Sequence, residues 1–167
     1  MSAEAAHKCL LDVGVRAVIA LPDSKLAPLC QVVRDKAQID YIQAVHESAC
    51  VGIATGLSLS GIKTLVVIEN SGLRSACETI ARFHLSHNLF TAYLIADRGA
   101  FGERNWWGIA HHETMEPLLK LLRFRWEYIQ SVAEFPRLLD LAYSTVSAGQ
   151  CSVALIAEPS FTEELLQ

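Results

Sequence analysis

Six short runs of consecutive apolar residues alternate with segments of helical periodicity along this 167-residue chain. Runs such as residues 63–69 and 151–157 do not alternate between apolar and polar positions, so both faces of these strands are predicted to be buried. Strands of that kind belong to a parallel sheet with helices on both sides. The pattern therefore predicts one α/β domain spanning residues 1–167, a three-layer α/β/α architecture around a six-stranded, mainly parallel sheet.

The predicted elements follow from apolar periodicity and from the positions of proline and glycine. Strands are predicted at residues 15–21, 39–45, 63–69, 90–96, 125–129 and 151–157. Helices are predicted at residues 2–13, 24–36, 47–60, 73–86, 114–122 and 132–148. Pro136 fits the last helix only in its first turn. Residues 97–112 are expected to form one long irregular loop, and the chain is expected to end in a short acidic tail.

The composition excludes several classes of protein. Hydrophobic residues make up 51% of the chain and charged residues only 19%, which excludes a disordered chain and a coiled coil. The net charge of −4 comes from 14 basic and 18 acidic residues without a basic stripe, so no nucleic-acid partner is expected. The apolar surplus exceeds what a lone domain of this size can bury. It predicts that part of the surface contacts another chain.

The sequence carries no signal for export or for membrane insertion. No apolar run reaches the roughly 18–20 residues of a membrane span, and residues 2–8 lack the charged-then-apolar order of a secretion signal. The five cysteines are scattered, without a Cys-x-x-Cys pair, which is typical of reduced and mostly buried thiols. These features predict a cytoplasmic protein that has no membrane partner.

Polar residues follow the predicted strands at the point where each strand ends. In a doubly wound sheet, ligands bind at the carboxyl ends of the strands. The residues at those ends, together with the close of the long loop, are Asp23, Ser24, His46, Glu47, Asn70, Ser71, Asp97, Arg98, Glu103, His111 and His112. A purely structural domain would spread such residues over both edges of the sheet, so this clustering predicts a functional site.

These residues also have ordinary structural explanations. The polar pairs after the first and third strands could be helix N-caps. Glu47 could do no more than complement the dipole of the helix that it begins. The two adjacent histidines could be solvated loop residues, and Trp106 and Trp107 could serve packing or an interface.

Familiar phosphate and metal motifs are missing from the sequence. It contains no Gly-x-Ser-x-Gly elbow, no Gly-x-Gly-x-x-Gly turn and no P-loop. His111, His112 and Glu113 are neighbours, and adjacent loop residues rarely converge on one ion. No metal site is therefore predicted in this chain.

Four motifs, taken in order, resemble the pyrimidine-binding domain of thiamine diphosphate enzymes. They are Pro-Asp-Ser at 22–24, the run at 45–56 that begins Val-His-Glu-Ser, Glu-Asn-Ser-Gly-Leu at 69–73 and Arg-Gly-Ala-Phe-Gly-Glu at 98–103. The resemblance covers essentially the whole chain. It is greatest for the 2-keto acid decarboxylases of sulfopyruvate and phosphonopyruvate, in particular the α subunit of the sulfopyruvate enzyme. It implies the thiamine diphosphate-binding fold.

The resemblance implies that Glu47 is both catalytic and cofactor-binding. In such enzymes a carboxyl group bound to the pyrimidine ring favours the imino tautomer of the cofactor's 4′-amino group, which then removes a proton from the thiazolium carbon. A glutamate at the start of a helix, behind a parallel strand, suits this role in a dry pocket. Gly52 and Gly56 on the same helix are expected to allow close packing beneath the ring.

Other residues at this edge acquire expected roles from the same resemblance. Asn70, Ser71 and Gly72 are expected beside the pyrimidine, and Asp23 and Ser24 are expected to face the substrate.

One histidine of the adjacent pair is expected to line the pocket, where it could handle protons after CO₂ leaves. The sequence leaves open whether this is His111 or His112. Arg74 and Arg98 are candidates to clamp a second anionic group of the substrate through paired hydrogen bonds.

The sequence departs from the subgroup at several positions of the expected pocket rim. Ser48 stands where the subgroup tends to have an acidic residue, Arg74 stands where it has glycine, and residues 105–107 form an unusual Asn-Trp-Trp insert. These departures leave the identity of the 2-keto acid open.

The Gly-Asp-Gly motif, followed some way on by Asn, marks the half of such enzymes that binds diphosphate and Mg²⁺, and this sequence lacks it. Because the chain begins with Met1 and ends soon after its sixth strand, we expect a split enzyme: a hetero-oligomer whose separate β subunit carries that motif and binds Mg²⁺. The predicted function is the α subunit of a thiamine diphosphate-dependent 2-keto acid decarboxylase, a lyase active only with its partner. Two alternatives stay open, a carbon–carbon bond-forming subunit of acyloin or acetolactate type and a non-catalytic α/β interaction subunit, because a fold alone implies no function.

Overall fold

The structure of this chain is a computed structural model that describes residues 2–149 and 151–167. One six-stranded sheet, in which every pairing is parallel, has the strand order β2-β1-β3-β4-β6-β5. The strands are β1 (Ala17–Ala20), β2 (Asp40–Gln43), β3 (Thr64–Glu69), β4 (Ala92–Ala96), β5 (Arg125–Ile129) and β6 (Val153–Ala157). The predicted parallel α/β architecture is confirmed.

Helices connect the strands and cover both faces of the sheet. They are α1 (Ser2–Asp12), α2 (Ala27–Lys36), α3 (Glu47–Leu59), α4 (Asn70–Ser75), α5 (Cys77–Ile80), a π-helical turn (Ala81–Ser86), α6 (Trp106–Leu121), α7 (Phe135–Ser147) and α8 (Pro159–Glu164). Buried residues of α1, α2, α7 and α8 form a core on one face, and those of α3 to α6 form a core on the other.

The central strands are buried on both faces, whereas the two edge strands are not. All residues of β1, β4 and β6 are buried. In β2 and β5, exposed positions such as Asp40, Arg125 and Glu127 stand beside partly buried ones. The prediction of double-sided burial is therefore wrong for these two strands, because an edge strand has a neighbour on one side only.

The predicted irregular stretch at 97–112 is shorter than expected, because α6 already begins at Trp106. A Cβ built on Gly99 would lie 1.9 Å from the carbonyl oxygen of Gly108, so the loop and the first turn of α6 touch backbone to backbone. Gly99 also has a positive φ of 93°, which favours glycine. Because α6 begins before them, His111 and His112 lie on a helix and not on a loop.

Two further helix predictions need correction. The segment predicted as one helix at 73–86 is divided into α4, α5 and the π-helical turn, and α4 begins at Asn70, directly after β3. The predicted acidic tail instead contains α8 (Pro159–Glu164). Pro136 does lie in the first turn of α7, as predicted.

The five cysteines make no disulfide bond, and all but Cys77 are buried. Burial raises the pKa of the Cys50 thiol to about 11 and that of Cys30 to about 12. These thiols are therefore inert core residues, in agreement with their scattered positions in the sequence.

The strand order places the candidate residues at the switch point of the sheet. The chain winds outward from β1 to β2 on one side and returns to β3 on the other, so the loops after β1 and β3 leave the sheet in opposite directions. Ligands of doubly wound sheets bind in the crevice at such a point. Asp23 follows β1 and Asn70 follows β3, on either side of it.

Candidate active site

The carboxylate of Glu47 is turned away from its own helix and toward α4. His46 is the N-cap of α3, and its Nδ1 accepts a hydrogen bond from the Ser48 backbone N–H at 3.2 Å. Oε2 of Glu47 accepts a hydrogen bond from the Ser75 hydroxyl at 2.9 Å. Because His46 caps the helix, the Glu47 carboxylate is not needed as a cap. Its position is set instead by its contacts with residues of α4.

Gly72 makes this position possible. A Cβ built on Gly72 would lie 2.5 Å from Cγ of Glu47 and 3.1 Å from its Oε1. No side chain larger than hydrogen fits between α4 and the glutamate unless the glutamate moves. Glu47 and Gly72, both predicted as site residues, are therefore in direct contact.

Ser75 is a contact that the sequence analysis missed. Its hydroxyl reaches Glu47 and also lies 3.2 Å from Nε2 of His46. Ser75 stands three residues after Gly72, and positions i and i+3 share a helix face. That spacing is the signal that could have found it.

Asn70 joins the ends of two neighbouring strands. It is fully buried, and its Nδ2 donates to Oδ1 of Asp97 at 3.1 Å and to the backbone carbonyl of Arg98 at 2.8 Å. Ser71 instead donates from its hydroxyl to Oε1 of Glu69 at 2.8 Å. Neither side chain caps α4, whose N-cap is Glu69 without a side-chain hydrogen bond. The N-cap explanation for this pair is wrong.

Asp97 directly follows β4 and contacts His112. The sequence placed Asp97 at the end of the strand but predicted a role only for His112. Nδ1 of His112 lies 2.9 Å and 3.1 Å from the two carboxylate oxygens of Asp97. Asp97 is 4% exposed, and this burial raises the pKa of its carboxyl group, although hydrogen bonds from His112 and Asn70 oppose the rise. An acidic residue at the end of a buried strand, one position before the Arg-Gly motif, is the signal that was available.

His111 has a different partner. Its Nδ1 lies 2.5 Å from a guanidinium nitrogen of Arg74. Consecutive residues of an α-helix point about 100° apart, so the adjacent histidines reach different neighbours. The structure brings His111 together with Arg74 and His112 together with Asp97, and neither histidine is a free loop residue.

Arg98 is held by the loop after β1 and by its own loop. Its guanidinium donates to the hydroxyl of Ser24 at 3.2 Å, and its Nε lies 3.5 Å from Oε2 of Glu103. Both side chains of the Arg98–Glu103 pair are 15% exposed. Arg98 and Ser24, both predicted as substrate-facing, are thus in contact with each other.

Asp23 forms the turn that leads into α2. Its Oδ1 accepts hydrogen bonds from the backbone N–H groups of Lys25 at 2.5 Å and Leu26 at 3.3 Å. These hydrogen bonds close the turn before α2, whose N-cap is Leu26 without a side-chain hydrogen bond, so the N-cap explanation is wrong for Asp23 as well. Its Oδ2 is buried and makes no hydrogen bond with the described residues. Burial raises the pKa of this carboxyl group.

Two features expected around Glu47 are not present within the described part of this chain. A Cβ on Gly56 would meet nothing within 4 Å, and one on Gly52 would only touch Phe83 at 4.0 Å, so neither glycine marks a close approach. The expected dry pocket is also not formed by this chain alone, since Glu47 is only partly buried and Ser75 is exposed. Trp106 and Trp107 are exposed as well, so they do not serve packing within the chain.

A groove of about 920 Å³ lies elsewhere, against β5 and α7. Its lining includes Arg125, Arg137 and Leu141 but none of the predicted site residues. Among residues 2–149 and 151–167, no three His, Cys, Asp or Glu side chains are grouped as a metal site would need. No helix in the same ranges is long and apolar enough to cross a membrane.

A known protein family matches the part of the chain that contains Glu47 and α4. A family model described as thiamine pyrophosphate enzyme, N-terminal TPP binding domain, matches residues 2–88, which is more than half of the chain. The chain belongs to this family. The match includes Glu47, Asn70, Gly72 and Arg74, and it ends before Asp97 and both histidines.

The curated relatives of this family member include two archaeal proteins named sulfopyruvate decarboxylase subunit alpha. That of Methanococcus maripaludis is 29% identical over 103 residues, which cover 62% of each chain. That of Methanocaldococcus jannaschii is 24% identical over 159 residues, which cover 95% of this chain and 94% of the relative. The chain thus resembles sulfopyruvate decarboxylase α subunits, as predicted, although the first alignment spans less than two thirds of its relative.

Two solved structures of decarboxylases share the fold. The benzoylformate decarboxylase of Polynucleobacter necessarius matches with a TM-score of 0.71 at 19% identity, over 98% of this chain and 30% of that one. The 4-hydroxybenzoylformate decarboxylase of Rhodococcus jostii matches with a TM-score of 0.72 at 19% identity, over 99% of this chain and 31% of that one. This chain therefore corresponds to about a third of the length of those enzymes.

Proposed function

We propose that this chain is the α subunit of a split thiamine diphosphate-dependent decarboxylase acting on a sulfopyruvate- or phosphonopyruvate-like 2-keto acid. The observation that carries the proposal is the contact of Glu47 with Gly72, which holds a carboxylate against α4, the helix that follows one of the two strands at the switch point. Family membership and the names of the curated relatives support the same function. The free, buried cysteines support a cytoplasmic location.

The residues of this edge fit the pyrimidine end of the cofactor. Gly72 has no side chain that would cover Glu47. The Ser75 hydroxyl donates to Oε2 of Glu47, so Oε1 stays available for a hydrogen bond with a ring nitrogen of the cofactor. Asn70 keeps α4 against the end of β4 through Asp97. When bound, thiamine diphosphate supplies the carbon that attacks the keto group and accepts the electron pair left by departing CO₂.

Residues on the other side of the switch point are suited to the substrate. The buried Oδ2 of Asp23 makes no hydrogen bond with the described residues, so it can serve a polar group of the ligand. Ser24 and Arg98 lie beside it in one hydrogen-bonded set. Arg74, in the last turn of α4, is exposed, and its guanidinium contacts His111 instead of a carboxylate.

The diphosphate end of the cofactor requires a second chain in this proposal. Diphosphate is strongly hydrated, and its removal from water needs a bridging metal and backbone donors. The sequence has no Gly-Asp-Gly motif for that purpose. A β subunit that carries the motif would bind Mg²⁺, cover the partly buried Glu47 and complete the site.

The test is to purify the chain together with the product of a neighbouring reading frame that carries Gly-Asp-Gly. CO₂ release is then measured with thiamine diphosphate and Mg²⁺ on sulfopyruvate, phosphonopyruvate and pyruvate. We expect CO₂ and the matching aldehyde, with a preference for one of the first two substrates. CO₂ release with an acyloin as the product, or no CO₂ from any 2-keto acid, would contradict the proposal.

Thermal stability tests the division of the site between two chains. A ligand at about 100 times its Kd stabilises the folded state by about 2.7 kcal/mol, and each kcal/mol raises Tm by roughly 2–4 °C at this size. We expect no resolvable shift when thiamine diphosphate and Mg²⁺ are added to this chain alone, and a shift of several degrees with the partner present. A clear Mg²⁺-dependent shift with the chain alone would contradict the split site.

A further inference from the structure

We infer that Asp97 is a positioning residue that fixes His112 so that Nε2 of His112 is the atom that delivers a proton to the substrate. The inference rests on the proposed function, because it assigns a role within that reaction. It also decides between the two adjacent histidines, which the sequence could not do. Asp97 lies outside the part of the chain that the family model matches.

The contact between Asp97 and His112 determines the tautomer of the imidazole. Both carboxylate oxygens of Asp97 lie within 3.1 Å of Nδ1 of His112. A carboxylate only accepts hydrogen bonds, so Nδ1 is the protonated nitrogen of the neutral ring. Nε2 then carries the lone pair, and it makes no hydrogen bond with the described residues. The side chain of His112 is 39% exposed, so this nitrogen is open to a ligand or to water.

Asp97 is itself fixed from two directions. Asn70 donates from Nδ2 to Oδ1 of Asp97 at 3.1 Å and to the next backbone carbonyl at 2.8 Å. The backbone contact of Gly99 with Gly108 brings the first turns of α6 against the loop that follows Asp97. The histidine and the aspartate therefore meet because β3, β4 and α6 are locked together at this point, and rotation of the imidazole would break a buried carboxylate's hydrogen bond.

His111 cannot take the same role. A guanidinium only donates, so Nδ1 of His111 accepts from Arg74, and that hydrogen bond is lost when Nδ1 gains a proton. The carboxylate beside His112 has the opposite effect, because its hydrogen bond is kept and gains charge when the ring carries a second proton. The contact with Asp97 therefore suits a histidine that passes on a proton, and the contact with Arg74 does not.

The reaction needs such a proton donor. Decarboxylation of a 2-keto acid converts R–CO–CO₂⁻ and one proton into R–CHO and CO₂. The bond between the carbonyl carbon and the carboxylate breaks, its electron pair stays on the carbonyl carbon, and a new C–H bond forms there. Nε2–H of His112 supplies that proton and is reprotonated from solvent, so no oxidant or reductant is required.

Several charged or titratable groups face this pair and enter any pH dependence. Glu116 lies on α6, Tyr128 on β5 donates its hydroxyl to Glu116 at 2.6 Å, and Glu158 follows β6. Arg98 is the next residue after Asp97. None of the first three donates to Asp97, so its hydrogen-bond donors among the described side chains are Asn70 and His112.

Asp97→Asn in the complete enzyme tests the inference, because it removes the charge and keeps the size. We expect kcat to fall by roughly 10²–10⁴, the range for a positioned acid–base group, with KM changed little. The pH profile of kcat should differ from the native one, since the imidazole of His112 loses its carboxylate partner. The exposed neighbour variant Glu113→Gln on α6 is the matched control and should leave both kcat and the profile unchanged.

Nitrogen NMR of the isolated chain gives a readout that does not depend on activity. In the ¹⁵N-histidine spectrum, His112 should show the Nδ1–H tautomer in the native chain and a mixture of tautomers in Asp97→Asn. A native pH profile in Asp97→Asn, or an unchanged tautomer, overturns the inference. Failure of the enzyme to decarboxylate any 2-keto acid would instead overturn the proposed function, while the tautomer measurement would still report on the pair.

His112→Gln keeps the inference testable if Asp97→Asn does not fold, because His112 is partly exposed. We expect kcat to fall by the same factor of roughly 10²–10⁴. The double variant should be no slower than His112→Gln alone, since residues that act as a unit are not additive. Full activity of His112→Gln overturns the inference.

Discussion

Cγ of Glu47 lies 2.5 Å from the point where a Cβ would stand on Gly72, so the glutamate occupies the space that any other residue at position 72 would need. The two residues are 25 positions apart and belong to different helices, α3 and α4. Their contact fixes the carboxylate relative to the end of β3. It is the feature on which the proposed chemistry depends.

Gly72→Ala is therefore expected to damage activity more than stability. The added methyl group has to displace Glu47, and a misplacement of about 1 Å can cost roughly 100-fold in rate. We expect kcat of the complete enzyme to fall by about that factor, with circular dichroism and Tm close to native. Unchanged kcat would show that the carboxylate position does not matter.

Gly56→Ala is the matched control for that substitution. Gly56 lies on α3, a Cβ there would meet nothing within 4 Å, and alanine is preferred over glycine in a helix interior by roughly 0.5–1 kcal/mol. Native kcat and a slightly raised Tm are expected, which separates the effect of the Glu47 contact from a general effect of glycine replacement.

Arg74→Ala is expected to affect substrates selectively. Among the described residues, no carboxylate lies within 4 Å of the Arg74 guanidinium, so its charge is available to a second anionic group of the substrate. A hydrogen bond to a charged group contributes about 1.5–3 kcal/mol, which corresponds to a rise in KM of roughly 10-fold to 100-fold for sulfopyruvate or phosphonopyruvate. KM for pyruvate should change little.

Arg98→Ala supplies the comparison, because Arg98 was the other candidate for an anion clamp. Its guanidinium already faces Glu103 and Ser24 in the structure. We expect a smaller difference between the dianionic substrates and pyruvate than for Arg74→Ala. If Arg74→Ala raises KM equally for all three substrates, the arginine is structural and not a specificity residue.

His84 is expected to make the fold sensitive to acid. It is 1% exposed, its Nδ1 lies 2.9 Å from the Ser152 hydroxyl, and its Nε2 lies 3.2 Å from the Tyr93 hydroxyl. Burial lowers the pKa of His84 to about 4. The unfolded chain binds this proton at higher pH than the folded chain, so stability is present above about pH 6.5 and is lost as the pH falls toward 4.

The size of this effect is about 3 kcal/mol, from the separation of the two pKa values at 1.36 kcal/mol per unit. The free energy of unfolding, measured with urea between pH 7 and pH 4, should fall less steeply with decreasing pH in His84→Gln than in the native chain. His87→Gln, an exposed neighbour, should follow the native curve. Identical slopes for the native chain and His84→Gln would show that His84 is not responsible.

The sheet was predictable from the sequence because each of its strands carries its own local signal. Continuous apolar runs located all six strands, although the structure shortens most of them at the ends. Which strands lie at the edges depends on pairing between distant segments, and so the exposed positions of β2 and β5 were not foreseen.

The start of α6 was missed for a similar reason. Three glycines and a pair of tryptophans read locally as a loop, but Gly99 and Gly108 allow the loop and the helix to touch. This contact lies in the tertiary structure and has no local periodicity. Because it was missed, both histidines were placed on a loop, and their separate partners could not be inferred.

The candidate site was predictable as a set of residues but not as a set of contacts. The resemblance identified Glu47 and Gly72 separately, and only the structure shows that one makes room for the other. Ser75 and Asp97 belong to no motif, and their importance comes from hydrogen bonds to residues 15 or more positions away. Such pairings are set by the fold and not by local sequence.

The central claim is that the carboxyl group of Glu47 activates the cofactor, and Glu47→Gln in the complete enzyme tests it most directly. Glutamine keeps the volume and can still accept from Ser75, but it cannot exchange the proton that the role requires. We predict a loss of roughly 10²–10⁴ in kcat with a native fold, whereas Glu78→Gln, an exposed control whose carboxylate pairs with Arg82, should retain native kcat. A Glu47→Gln enzyme with nearly native turnover would contradict the account.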